Sequence, residues 1–146
     1  MTEATTIPLR GAGGEPVDFA RTLLSHGVAD LLPNVIAEDG SSLETVLPAS
    51  GRAWVVRLMP AGPDAARVEV AGQAPRRELE GRLVHMLRLD DDLSGFYARA
   101  AEDPDLAWAA HGAGRLLRSP TVFEDVVKTV CTTNCAWSGT VRMVTA

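Results

Sequence analysis

Arg67-Val68-Glu69-Val70-Ala71-Gly72-Gln73-Ala74-Pro75-Arg76 is where one pattern in this chain gives way to another. Up to Val70 polar and apolar residues alternate, with Val68 and Val70 on one side, the period of a half-buried strand. Ala71 to Pro75 is turn chemistry and reads as a hinge. Beyond it Leu79, Leu83, Met86 and Leu87 recur every three or four residues, which predicts an amphipathic helix from about Arg76 to Leu89.

Towards the N-terminus the strand signals continue. Ala53 to Met59 is the strongest, ended by Pro60 and separated from Arg67 to Val70 by the turn Ala61-Gly62-Pro63-Asp64. Leu43 to Leu47 and Val35 to Ala37 are shorter, around the turn Glu38-Asp39-Gly40-Ser41-Ser42. Pro16 to Leu24 carries Val17, Ala20, Leu23 and Leu24 at helical spacing, with Gly27 as its stop. Ile7 to Arg10 is a short apolar stretch broken by the flexible turn Gly11-Ala12-Gly13-Gly14. Three or four short strands joined by tight turns predict a small antiparallel sheet with a packed helix over residues 1–74.

Towards the C-terminus the signals are helical. Asp90-Asp91-Asp92 offers N-caps for a helix carrying Leu93, Phe96, Tyr97 and Ala100, stopped by Pro104. Ala107 to Ala110 adds a helical turn around Trp108, and Gly112-Ala113-Gly114 breaks it. Ser119-Pro120 starts the next helix, or Thr121 and Glu124 form a capping box one register later. Val122, Phe123, Val126, Val127, Val130 and Cys131 make its apolar face. After Thr132-Thr133-Asn134, Trp137, Val141 and Val144 begin a last amphipathic helix, and Trp137 reads as core. That apolar face runs to Ala146 without a stop signal, as expected of a chain cut short, or of a terminal helix that frays. The fold class is α+β: a sheet domain over 1–74 and a helical segment over 75–146.

Composition bounds the function. The chain has 146 residues, 46% hydrophobic and 23% charged, the balance of a folded domain rather than a disordered one. No apolar run approaches the roughly 20 residues of a membrane span. Met1 to Thr6 has neither a basic nor an apolar signal region, so the expected location is the cytoplasm, with Cys131 and Cys135 reduced. The net charge of −5 argues against a polybasic nucleic-acid or membrane protein. It is uneven: residues 1–74 carry −4, 75–105 carry −3, and 106–146 carry +2 from Arg115, Arg118, Lys128 and Arg142 against Glu124 and Asp125.

Little catalytic chemistry is visible. The glycine runs lack the lysine and helix of a phosphate loop, and Gly112-Ala113-Gly114 lacks the third glycine of a dinucleotide site. His26, His85 and His111 are scattered, and Cys131 and Cys135 have no second pair, so they read as buried structural thiols and no metal or cofactor is expected. Ser25-His26 is no dyad, since catalytic pairs meet in space. Lys128, flanked by Val126, Val127 and Val130, reads as snorkelling outward.

One segment carries more. Gly114-Arg115-Leu116-Leu117-Arg118-Ser119-Pro120-Thr121-Val122-Phe123-Glu124-Asp125-Val126-Val127-Lys128-Thr129-Val130-Cys131-Thr132-Thr133-Asn134-Cys135-Ala136-Trp137 resembles the entry into the helix–hairpin–helix (HhH-GPD) DNA glycosylase superfamily, in the branch of 8-oxoguanine and 3-methyladenine DNA glycosylases. Leu87 to Tyr97 is similar to the segment just before it in those proteins. The resemblance implies that the N-terminal sheet precedes the first helices of an all-α glycosylase core. It implies base-excision repair: flipping of a damaged base and hydrolysis of its N-glycosidic bond. Double-stranded DNA with a damaged base is then the partner, and the protein acts as a monomer.

Residue by residue, Asn134 matches the amide that occupies the gap opposite the orphaned base, with Thr132 and Thr133 beside it. Asparagine suits that place, offering donor and acceptor together and tolerating a left-handed turn; it equally suits a helix cap. Arg115 and Arg118 are candidates for phosphate contact, or are solvated. The family's Leu-x-Gly-Val/Ile-Gly hairpin, its catalytic Asp and the lyase members' Lys do not occur in residues 1–146, and Lys128 is not at the hairpin position. The chain alone is therefore expected to be inactive and to bind DNA poorly, being a front part whose last two helices expose apolar surface. The alternative is a complete, non-catalytic α+β protein-interaction module. A small-ligand-binding domain ranks behind both.

Overall fold

The computed structural model describes residues 2–146. Five strands, β1 (Thr2–Pro8), β2 (Val35–Ile36), β3 (Leu43–Ala49), β4 (Arg52–Pro60) and β5 (Ala65–Ala71), form one antiparallel sheet in the order β1-β5-β4-β3-β2. β3, β4 and β5 are a meander, and β1 returns to the outer edge of β5 with Thr5 opposite Val68. Leu43 and Leu47 of β3, Val56 and Leu58 of β4, and Val68 and Val70 of β5 line the buried side, the period-two alternation expected of a sheet covered on one face.

β1 begins five residues before the apolar stretch that marks it in the sequence. Its Thr-rich start lies on an edge, where only Ile7 is buried, so no hydrophobic alternation betrays it. The β3–β4 hairpin turns on Ser50 and Gly51, both with positive φ (48° and 71°), the pattern of a two-residue type I′ loop. Serine is an unusual tenant there. Glu78 accepts its backbone N–H at 2.8 Å and its hydroxyl at 2.7 Å, fixing the turn.

Five helices follow or interrupt the sheet: α1 (Phe19–Leu23), α2 (Arg76–Met86), α3 (Ser94–Glu102), α4 (Val122–Cys131) and α5 (Trp137–Thr145). α1 is shorter than its spacing implies because Asp18 caps it, accepting the Arg21 N–H. Gly27 does not end that helix. It opens a 3₁₀ turn, Gly27–Asp30, capped by His26 Nδ1. None of the three aspartates is the cap residue of α3, which is Leu93, but Asp92 just before it accepts the N–H of Ser94, the first residue of the helix, at 2.9 Å.

α2 lies on the sheet. Leu79, Leu83, Met86 and Leu87 are buried with Leu43, Leu47, Val56, Leu58, Val68 and Val70 in one cluster, which Leu117 also joins. Burying each such side chain is worth about 1.5–3 kcal/mol. The core thus runs across the hinge at Ala71–Pro75. α3 and the 3₁₀ turn Ala107–His111 pack separately through Ala100, Ala109 and Ala113, and Tyr97 donates its hydroxyl to Ala113 O at 2.7 Å. No helix among the described residues is long and apolar enough to cross a membrane.

Candidate nucleic-acid interface

The segment from Gly114 onward is anchored before it becomes helical. Leu117 donates its N–H to Ser25 Oγ at 3.0 Å, and its carbonyl meets His26 Nε2 at 2.8 Å. His26 Nδ1 accepts the Ala29 N–H, so Nε2 carries the proton and donates. Ser25 and His26 are neighbours with a shared structural task. α4 starts in the later of the two registers: Thr121 Oγ1 accepts the Glu124 N–H at 3.2 Å, and the Ser119 N–H donates to Asp125.

The end of α4 builds an exposed turn. Thr132 and Thr133 donate their hydroxyls back to Thr129 O (2.6 Å) and Val130 O (2.7 Å), carbonyls that also accept the backbone N–H groups of the same two residues. Asn134 then turns left-handed, with φ 54°, and its side chain makes no hydrogen bond among the described residues. Across the turn, buried Thr140 of α5 donates to Cys131 O at 2.8 Å, and the Cys135 thiol donates to the same oxygen at 3.1 Å. Thr132, Thr133 and Asn134 therefore sit together in one turn, which Thr140 pins from behind. Thr140 carries no signal in the sequence beyond its place in the helical period.

Arg115 stands elsewhere. It is 1% exposed, neither solvated nor presented to a phosphate. Its guanidinium pairs with Glu15 and donates to the carbonyls of Arg88 and Asp91. Glu15 also accepts the Leu93 N–H at 2.7 Å. Burial pushes the Glu15 carboxyl up, but that N–H, its own backbone amide and Arg115 outweigh burial and hold it below its ordinary value. The glycine run wraps this pair: a Cβ at Gly11 would collide with the Glu15 and Arg115 side chains, and one at Gly13 with the Asp92 carboxylate. The run is thus a close-fitting wall rather than a flexible turn. Glu15 escapes a sequence reading because its partner lies a hundred residues away. Arg88, left-handed at φ 55°, closes α2 and is held there by the donors on its carbonyl.

Arg118 is half-buried and bonded to Asp91 at 3.1 Å, with Asp90 at 3.7 Å. It shares a surface cleft with His26, Arg88, Asp125 and Thr129. Arg88 hydrogen-bonding, ahead of an opposing burial effect, holds the Asp91 carboxyl below its ordinary range. Lys128 reverses its expectation. It is 2% exposed, donates to Leu31 O at 3.3 Å and lies 2.7 Å from Glu124. Of the four cations after residue 105, Arg142 alone has no carboxylate partner among the described residues. Trp137 is also not core: it is half exposed, its ring laid over Gly27. Cys131 is half-buried and Cys135 exposed, rather than both buried, and both are free thiols. No group of three or more metal-ligating side chains converges among the described residues.

No protein-family model matches the chain, and no curated protein sequence does. Among solved structures its fold is similar to that of the 3-methyladenine DNA-glycosylase from Archaeoglobus fulgidus, with a TM-score of 0.71 at 20% sequence identity. The match covers 96% of this chain and 48% of that one, so the chain spans about half the length of that protein. The sheet, the helix laid on it and the helices around the Asn134 turn thus share their fold with about half of a DNA glycosylase.

Proposed function

We propose that this chain is the front part of a base-excision DNA glycosylase. It presents Asn134, between Thr132 and Thr133, to the gap left when a damaged base is flipped out of duplex DNA. The observation that carries this reading is the Asn134 turn: left-handed, exposed, stitched by three hydroxyls and a thiol, with its own amide unpartnered. A free amide offers the orphaned base both a donor and an acceptor, which offsets part of the few kcal/mol that flipping costs. Hydrolysis of the N-glycosidic bond belongs to a hairpin and an Asp outside residues 1–146, the carboxylate stabilising an oxocarbenium-like charge. Arg118 contributes to phosphate contact only by releasing Asp91, and Arg115 holds the frame.

Polyanion affinity is correspondingly low, since three of the four late cations are already paired. The test is fluorescence anisotropy with duplexes that do or do not carry an abasic site. The expected result is weak binding, Kd about 10⁻⁵ M at physiological salt, with a several-fold preference for the abasic duplex. Asn134→Ala removes the preference and leaves binding to intact duplex unchanged. Equal binding of both duplexes by the unaltered chain would count against the assignment. Multiple turnover on a damaged duplex by purified 1–146 would overturn the placement of the catalytic groups outside it.

The apolar face of α4 points outward, with Phe123 78% exposed, which supports the front-part reading with its exposed apolar surface on the last two helices rather than a complete protein-interaction module.

A further inference from the structure

The chain has two cysteines, and they bracket one turn. Cys131 closes α4, Cys135 stands just before α5, and only Thr132, Thr133 and Asn134 lie between them. Both are free thiols, and the two residues touch: the Cys135 thiol donates to Cys131 O at 3.1 Å. The Cα of Cys131 is therefore within about 5.5 Å of the Cys135 sulfur, so side-chain rotation with a small shift of the turn brings the two sulfurs into bonding range. Thr140 Oγ1 stands 3.3 Å from the Cys135 sulfur. Gly139 leaves the thiol open beside it: a Cβ there would sit 3.8 Å from that sulfur and 4.0 Å from Arg142 Nη2. A guanidinium that no carboxylate claims among the described residues thus borders the thiol. These contacts are internal to the turn and do not depend on what packs against the outer face of α4.

We propose that Cys131 and Cys135 form a reversible oxidation site whose disulfide disarms the Asn134 turn. The oxidant is a peroxide. Cys135, the more exposed of the two, reacts first. Its sulfur attacks one peroxide oxygen, the S–O bond forms and the O–O bond breaks, and the departing hydroxide leaves as water with the thiol proton. The Cys131 sulfur then attacks the sulfenic sulfur of Cys135. The S–S bond forms, the S–O bond breaks, and a second water carries off the Cys131 proton. Two thiols lose two electrons in all, and hydrogen peroxide is reduced to two waters. A dithiol reverses the step by exchange. The consequence is local. The disulfide has no S–H, so Cys131 O loses the Cys135 donor and keeps Thr140. The bridge closes a loop of only five residues, whose backbone must then follow the geometry of the bond. Asn134 holds its left-handed φ of 54° against the preference of a residue with a side chain, so the turn rearranges there first. The effect on DNA rests on the function proposed above; the bridge itself does not.

The test treats the full 146-residue chain with hydrogen peroxide and then with dithiothreitol. Free thiols are expected to fall from two to none and to return. The unreduced peptide that holds both cysteines should lose two hydrogen masses, in a chain that stays single on a non-reducing gel. Amide NMR signals should shift in the last turn of α4, at Asn134 and in the first turn of α5, and stay in place across the sheet. Cys131→Ser should trap Cys135 as a sulfenic acid, captured by dimedone, and abolish both the bridge and the shifts. Cross-links only between chains, sulfinic or sulfonic acids without a bridge, or a bridge that leaves the Asn134 signal unmoved would each overturn the proposal. In the anisotropy assay the several-fold preference for an abasic duplex should vanish on oxidation and recover on reduction. An oxidised chain that keeps the preference overturns the switch. A reduced chain with no preference overturns the DNA reading instead, and the thiol and amide readouts still decide the bridge.

Discussion

Glu15→Ala lowers the free energy of unfolding by about 3–5 kcal/mol, the cost of leaving a buried charge without its partner. Arg115 is almost wholly enclosed, and its guanidinium cannot shed its proton. Without Glu15 it retains only the carbonyls of Arg88 and Asp91. The loss reaches three segments at once, because the pair joins the glycine turn, the loop after α2 and the strand-like lead into α4. Urea denaturation of the variant beside the unaltered chain measures it. A loss under about 1 kcal/mol would mean that Arg115 finds water in solution.

The same pair sets a pH dependence. The Glu15 and Asp91 carboxyls are held below their ordinary values in the folded state, so the unfolded chain binds more protons in that window. Their contribution is complete above the unfolded values, near about pH 4.5, and fades as pH falls through the lowered folded values. Glu15→Gln should therefore flatten part of the loss of stability between about pH 5 and pH 3 while lowering stability at neutral pH. A loss on acidification as steep as that of the unaltered chain would assign it to the other carboxylates.

Lys128→Ala is expected to cost about 2–3 kcal/mol, less than the Glu15 change because Glu124 keeps some access to water. The amine ties α4 to Leu31 O, so its loss frees both the turn at Leu31–Pro33 and the Glu124 carboxylate. Replacing both partners, Lys128→Met with Glu124→Leu, recovers most of the loss, since apolar residues of similar size remove the need for pairing. A double-mutant cycle by urea denaturation reads the coupling, expected above about 1 kcal/mol. Additive effects would place the ammonium in solvent and return α4 to an outward lysine.

Much of this molecule is legible from local chemistry. Pro60 ends β4, and the change of period after Val70 places α2 to within three residues. Thr121 and Glu124 mark the register in which α4 starts, and a left-handed Asn134 closes the turn behind it. These features depend on neighbours in sequence, through φ preference, capping and spacing, and such interactions read the same before and after folding. The resemblance to DNA glycosylases drew on the same stretch.

Other features needed the folded chain. Periodicity puts Val122, Phe123, Val126 and Val130 on one side of a helix and Lys128 on another, but both sides are equally consistent with the pattern. Which of them meets the body is settled by a carbonyl at Leu31, nearly a hundred residues away. The same holds for Arg115, which local composition leaves free for a phosphate and Glu15 claims for the interior. Trp137 lies half open with its ring over Gly27, a neighbour more than a hundred residues away in sequence. β1 pairs through its backbone, so its polar side chains carry no trace of it. Local sequence sets where elements begin, end and turn, because those free energies are local. Which face is buried and which charge is paired depends on contacts across the chain, whose partners no window of sequence contains.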